Sequence, residues 1–152
     1  MTAPKRPVSV LVVIHTPDLQ ILLLERAAHP GYWQSVTGSQ EDDETLRDTA
    51  RREVQEETGL TFPDAALRDW QQTNVYEIFP EWRHRYAPGV THNTEHVFSL
   101  EIPAPCAIQL APNEHSNYGW LPWQDAAPRC FSWSNRDAIL ALAQGRPGKP
   151  TE

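Results

Sequence analysis

The sequence predicts an α+β fold, a sandwich of helices on a mixed β-sheet. Three observations predict it. A β-branched apolar run, Val8 to Ile14, stands near the start. A stretch with helical periodicity and signals at both ends covers residues 45–58. Further strand-like runs lie before, between and after the helical ones, which is not the regular alternation of a βαβ repeat.

Taken in order, Val8 to Ile14 is expected to be a buried strand, because it is apolar without a polar alternate face. Pro17-Asp18 turns the chain, and Gln20 to Arg26 supplies a second strand. Trp33 to Thr37 is short and extended, ending at Gly38. Helix 45–58 starts at Thr45, a capping residue with Asp48 three positions on, and Gly59 suits the left-handed residue past its end. Strand patterns return at Trp70–Phe79 and His96–Ile102. Ser134 is expected to cap a last helix over Asn135–Gln144. Pro103, Pro105 and Pro112 mark a connection. A single domain over residues 1–146 is expected, with 147–152 as a flexible tail.

The chain has 152 residues, 39% of them apolar, and six tryptophans, which is enough for one core and excludes global disorder. Its 13 basic and 20 acidic side chains give a net charge of -7. That balance argues against general affinity for nucleic acid or anionic membranes, though a local site can still take a small anion. Two cysteines, Cys106 and Cys130, are too few for a disulfide framework and are expected to be free thiols. No apolar run is long enough to span a bilayer, and Lys5-Arg6 is not followed by a cleavage-site pattern. A cytoplasmic protein is expected.

Residues 41–57 hold eight acids against three arginines, five of the seven net negative charges. At about 100° per residue, Glu53 and Glu57 fall along the edge of the apolar stripe formed by Leu46, Ala50 and Val54. Arg47, Asp48, Arg51 and Gln55 fall on the solvated side. Glu53, Glu56 and Glu57 lie close together on the helix surface, where like charges repel. Carboxylates set against a buried stripe are costly unless paired or metal-bound. A hard divalent cation such as Mg²⁺ or Mn²⁺ relieves both costs.

Gly38, five residues, Glu44, seven residues and then Arg52-Glu53-Val54-Gln55-Glu56-Glu57-Thr58-Gly59-Leu60 resembles the box of the Nudix hydrolases at every specified position. The resemblance implies an α/β/α sandwich with a mixed sheet and a loop–helix–loop catalytic motif. It implies hydrolysis of a phosphoanhydride, with Glu53, Glu56 and Glu57 as catalytic and Mg²⁺-binding candidates. Either Glu53 or Glu57 would help to activate water. Gly38, Glu44, Arg52 and Gly59 would be structural, with Arg52 orienting glutamates.

Outside the box, Lys5–Ile14, Trp33–Ser39, Arg83–Thr91 with Asn93-Thr94-Glu95, and Ser132–Arg136 resemble the bacterial dihydroneopterin triphosphate diphosphatases within that superfamily. The likeness runs from about residue 5 to about residue 143 and weakens over 64–72 and 102–113. It implies release of pyrophosphate from a small-molecule triphosphate of the folate pathway. It implies Glu53, Glu57 and Glu114 as metal ligands. It implies Lys5, Arg26, Thr37, Tyr76, Glu77, Ile78, Phe79 and Ser132 as substrate-binding residues. The alternative reading is a purine (deoxy)nucleoside triphosphate pyrophosphohydrolase, since a pterin and a purine share fused rings and a hydrogen-bonding edge. A non-catalytic binding module is disfavoured by the intact box.

Two features stand outside the motif. The basic loop Arg83-His84-Arg85 could lend charge to phosphates or simply be a turn. His92 and His96 have helical ligand spacing, but Pro88, Gly89 and the β-branched surroundings argue against a helix and so against zinc.

Overall fold

The computed structural model describes residues 3–145, so the expected tail, 147–152, lies outside the described residues. Seven strands form one mixed sheet. They are β1 (Val8–His15), β2 (Gln20–Arg26), β3 (Trp33–Gln34), β4 (Val36–Ser39), β5 (Leu67–Glu77), β6 (His92–Glu101) and β7 (His115–Pro122). The helices are α1 (Leu46–Thr58), α2 (Trp123–Arg129) and α3 (Trp133–Ala143), with 3₁₀ turns at Asp64–Ala66 and Pro80–Arg85. The main path of the sheet is β3-β2-β1-β6-β5, with β4 also on β1 and β7 on β2. Among these seven strands the parallel pair is β1 with β6, in register from Val8↔Thr94 to His15↔Glu101.

Strand β1 shows why its sequence is apolar throughout. Val10, Val12 and Ile14 point to one face and pack with Ala50 and Val54 of α1. Leu11 and Val13 point to the other and pack with Ala126 and Ala127 of α2 and Ala138 and Ile139 of α3. Both faces are covered, so the layers read α/β/α. Among the described residues, no helix is long and apolar enough to cross a membrane. The two cysteines are unbonded.

Helix α1 has the ends its sequence encodes. Thr45 and Asp48 exchange side-chain bonds with each other's backbone N–H. Gly59 closes the helix at φ 74°, in the left-handed region.

Three expectations need correction. Helix α3 begins at Trp133 with Ser132 as its cap, not Ser134. Ser134 and Asn135 are buried in its first turn, and the Asn135 side chain bonds the Ser35 backbone N–H at 2.7 Å and the Ser35 hydroxyl at 3.0 Å. The strand expected from Trp70 starts at Leu67 and stops at Glu77, while the strand expected from His96 starts at His92. An irregularity between Asp69 and Thr73, with Gln71 at φ 54°, breaks the alternation that would have marked the true start of β5. Strand β7 and helix α2 were not anticipated. β7 is half-exposed over most of its length, and α2 carries Pro128.

Candidate active site

The helix arithmetic translates directly into burial. Glu57 is 1% exposed and Glu53 9%, whereas Glu56 and Gln55 are exposed. Arg47 and Arg51 are half-exposed and pair with Asp64.

Arg52 organises the entrance to this helix. Its Nε donates to Glu44 Oε2 at 2.6 Å and its Nη2 to Glu44 Oε1 at 2.9 Å, a bidentate fork. Its Nη1 donates to Glu53 Oε1 at 2.7 Å, and Nη2 also reaches the Ser39 carbonyl at 3.1 Å. Glu44 further accepts from the Glu41 backbone and the Thr49 hydroxyl, each at 3.0 Å. Bonding to Arg52 holds the Glu44 carboxyl at about 2 and raises the guanidinium well above its ordinary value.

Gly38, expected to be structural at the end of an extended stretch, has a structural role of a particular kind. It sits within β4 opposite Val10 and is absent from the positive-φ glycines. A Cβ at this position would overlap the Glu53 carboxylate. The requirement is steric, imposed by a side chain lying directly over the backbone.

Glu57 lies deeper. Both its carboxylate oxygens are buried with no hydrogen-bond partner among the described residues. Burial pushes its pKa well above the carboxylate range, and the nearby Glu53 adds to the shift. Burial also raises Glu53, against the pull of Arg52. One donor atom each from Glu57, Glu114 and His115 fall within 4.8 Å of one another. Oxygen donors of this kind, one with two unmet lone-pair sets, fit a hard divalent cation. Among the described residues this is the one metal-capable cluster; His92 and His96 lie along strand β6 and form none.

His115 was missed by sequence reasoning, although it adjoins Glu114. Its ring is 3% exposed, with Nε2 3.7 Å from Glu57 Oε1 and 3.3 Å from Gln34 Nε2. Burial, then the Arg26 charge, lowers it to about 4. The imidazole is therefore neutral at pH 7 and available as a ligand.

A cleft of about 1100 Å³ joins this cluster to the expected substrate residues. Lys5, Arg26, Thr37, Tyr76, Glu77, Ile78, Phe79, Glu114 and Ser132 all line it. Lys5 is exposed as a residue, yet its charged end is desolvated, and burial followed by Arg85 lowers its pKa. Arg26 is lowered for the same two reasons, and its guanidinium stacks on Trp82 with its Cζ 4.8 Å from the ring centre. Of the basic loop, Arg85 lines the cleft, whereas Arg83 is spent on Glu77 and the Ile78 carbonyl. Glu77 is thus already paired. Thr37 donates to the Val10 carbonyl at 2.9 Å, which leaves its oxygen free to accept. Ser132 accepts from the Asn135 backbone at 3.2 Å, which leaves its proton free. Phe79, Trp82 and Phe131 form an aromatic wall with centroids 5.0–6.4 Å apart. Trp82 and Phe131 were not among the expected substrate residues, and no periodicity marked them.

The sequence profile of the NUDIX domain matches residues 5–142. Dihydroneopterin triphosphate diphosphatase of Escherichia coli K12 is 49% identical over 138 residues, covering 89% of this chain and 91% of that protein. The protein of the same name from Haemophilus influenzae is 41% identical over 134 residues, covering 86% and 84%. The structure of the E. coli dihydroneopterin triphosphate pyrophosphohydrolase superposes with a TM-score of 0.86 at 45% identity, over 95% of this chain and 99% of that one.

Proposed function

The chain belongs to the NUDIX family of hydrolases, and from that premise we propose that it hydrolyses dihydroneopterin triphosphate to dihydroneopterin monophosphate and pyrophosphate. The observation that carries the chemistry is Glu57: a buried carboxylate with no hydrogen-bond partner among the described residues, beside Glu53, Glu114 and His115, at one end of a cleft lined by Lys5, Arg26 and Arg85. The substrate is taken from the names of the relatives.

Glu53, Glu57 and Glu114 would hold Mg²⁺ (Mn²⁺ is the alternative, and His115 suits it). Such an ion would neutralise phosphate charge and lower the pKa of a bound water. The remaining chemistry belongs to the chain. Arg52 ties Glu44 to Glu53 and fixes the direction of the catalytic carboxylate. Either Glu53 or Glu57 takes the proton of the attacking water, with Glu56 at the solvated mouth of the same patch. Water adds across the anhydride, and pyrophosphate leaves. Lys5, Arg26 and Arg85 offset the negative charge of the triphosphate. The aromatic wall and the segment Tyr76–Phe79 offer faces for the fused ring. Residues 1–146 would form the single catalytic domain. Action in the cytoplasm, in folate biosynthesis, belongs to the same proposal and suits two free thiols.

The test is a substrate panel with Mg²⁺: dihydroneopterin triphosphate, dATP, ADP-ribose and a dinucleoside polyphosphate. The highest kcat/KM is expected for the pterin, with pyrophosphate released. A preference for dATP would overturn the substrate, and release of orthophosphate would overturn the bond cleaved.

A further inference from the structure

A third buried carboxylate, besides Glu53 and Glu57, lies in the cleft, outside the metal cluster and outside the Nudix box. Glu95 is 4% exposed and lines the cleft. It sits in the middle of the sheet, opposite Ser9 of β1 and Asn74 of β5. Alternation along β6 puts Glu95 on the same face as Asn93 and Val97, the face covered by α2 and α3. Val97 continues into the apolar layer with Leu11 and Val13. One pleat repeat earlier, that layer gives way to a polar patch of Ser9, Asn93, Glu95, Ser35, Thr37, Ser134 and Asn135.

Little within the fold accounts for Glu95. Its one hydrogen bond is from the Asn74 amide at 3.5 Å, the limit of a weak contact. Burial raises its pKa, and no cation offsets the shift. Two neighbours in the same lining are unsatisfied: among the described residues, Asn93 Oδ1 and Ser134 Oγ are buried without a partner. A buried carboxylate with one long donor contact is poorly compensated for its lost hydration. A patch in which two buried groups lack partners among the described residues, beside a carboxylate held by one long contact, is suited to receive hydrogen-bonding atoms from outside the chain.

We propose that Glu95 recognises the amino-pyrimidine edge of the substrate's fused ring, accepting hydrogen bonds from the ring N–H and the exocyclic amino group. This rests on the functional reading above and deepens it. A carboxylate has two acceptor oxygens, and a pterin edge presents two adjacent donors, so the match is bidentate. An adenine edge offers one donor beside an acceptor and leaves one oxygen unpaired. Glu77 cannot fill this role while it is committed to Arg83. Glu95 is a specificity residue, separated in role from the glutamates that handle phosphate.

The test uses ligand and side chain together. Binding of dihydroneopterin monophosphate and of its counterpart with a 2-oxo group in place of the 2-amino group is measured by fluorescence titration. The wild-type protein should prefer the amino compound by about 100-fold, because the 2-oxo group sets an acceptor against a carboxylate. In Glu95→Gln, whose amide can donate to the 2-oxo group, the preference should fall below about fivefold. The KM for dihydroneopterin triphosphate should rise in that variant while kcat changes little. Equal wild-type affinity for the two compounds, with turnover intact, overturns the role of Glu95 and leaves the activity standing. Absence of turnover of the pterin triphosphate by the wild type overturns the functional reading itself. Should Glu95→Gln not fold, the wild-type ratio decides alone.

Discussion

The Glu57 carboxylate lies 3.7 Å from His115 Nε2, with both residues almost wholly buried and neither charge balanced within the fold. Burial drives the two groups the same way, towards neutrality: the glutamate up and the histidine down to about 4. A pair left unbalanced in this way weakens the metal-free protein and favours a cation.

Replacing Glu57 by Gln should therefore separate stability from activity. The variant keeps the shape and removes the buried charge, so the metal-free protein should gain about 1–3 kcal/mol. Its kcat/KM should fall by at least about 100-fold. Thermal denaturation in EDTA and steady-state kinetics check the two halves. A variant both less stable and fully active would contradict the role given to Glu57.

Gly38→Ala should reduce activity without unfolding the protein. The backbone at this position accepts any residue, but the added methyl must displace the Glu53 carboxylate. A displacement of about 1 Å at a catalytic group can cost about 100-fold in rate. A kcat unchanged by the methyl would show that Glu53 has no fixed position to lose.

The Glu44–Arg52 fork gives a pH signature. The folded pKa of Glu44, about 2, is below its unfolded value, so its stabilisation is complete above the ordinary carboxylate range and is lost as pH falls towards 2. Glu44→Gln should flatten the acid limb of the stability profile, as followed by circular dichroism between about pH 5 and pH 2. An unaltered limb would mean that other carboxylates dominate it.

Cys130 should be unreactive. Burial pushes its thiol up to about 12, whereas Cys106 is exposed. Iodoacetamide at pH 8 should label Cys106 first, and peptide mass mapping reads the order. Preferential labelling of Cys130 would contradict the burial assigned to it.

The sequence carried the catalytic helix almost whole. Capping pairs and glycine ends are local, and a 3.6-residue period is enough to put Glu53 and Glu57 on the buried side. Where the sequence was silent, the information was tertiary. His115 enters the cluster because β7 pairs with β2 near Arg26, a long-range pairing that no local pattern encodes. Ser132 rather than Ser134 caps α3 because Asn135 is drawn into the sheet by Ser35, 100 residues away in sequence. The steric reason for Gly38 was hidden too, because nothing in its neighbourhood announces the carboxylate above it. Glu95 belonged to the Asn93-Thr94-Glu95 likeness but had no role assigned, since a single acid in a strand resembles a surface residue until the strand is known to be covered on both faces.

The central claim is that the buried Glu57 cluster is a divalent cation site. Electron paramagnetic resonance titration of Mn²⁺ into the wild type and Glu57→Gln tests it without depending on substrate. The wild type should bind the ion, with Mg²⁺ competing, and the variant should bind at least about tenfold more weakly. Equal affinity in the two proteins would contradict the claim.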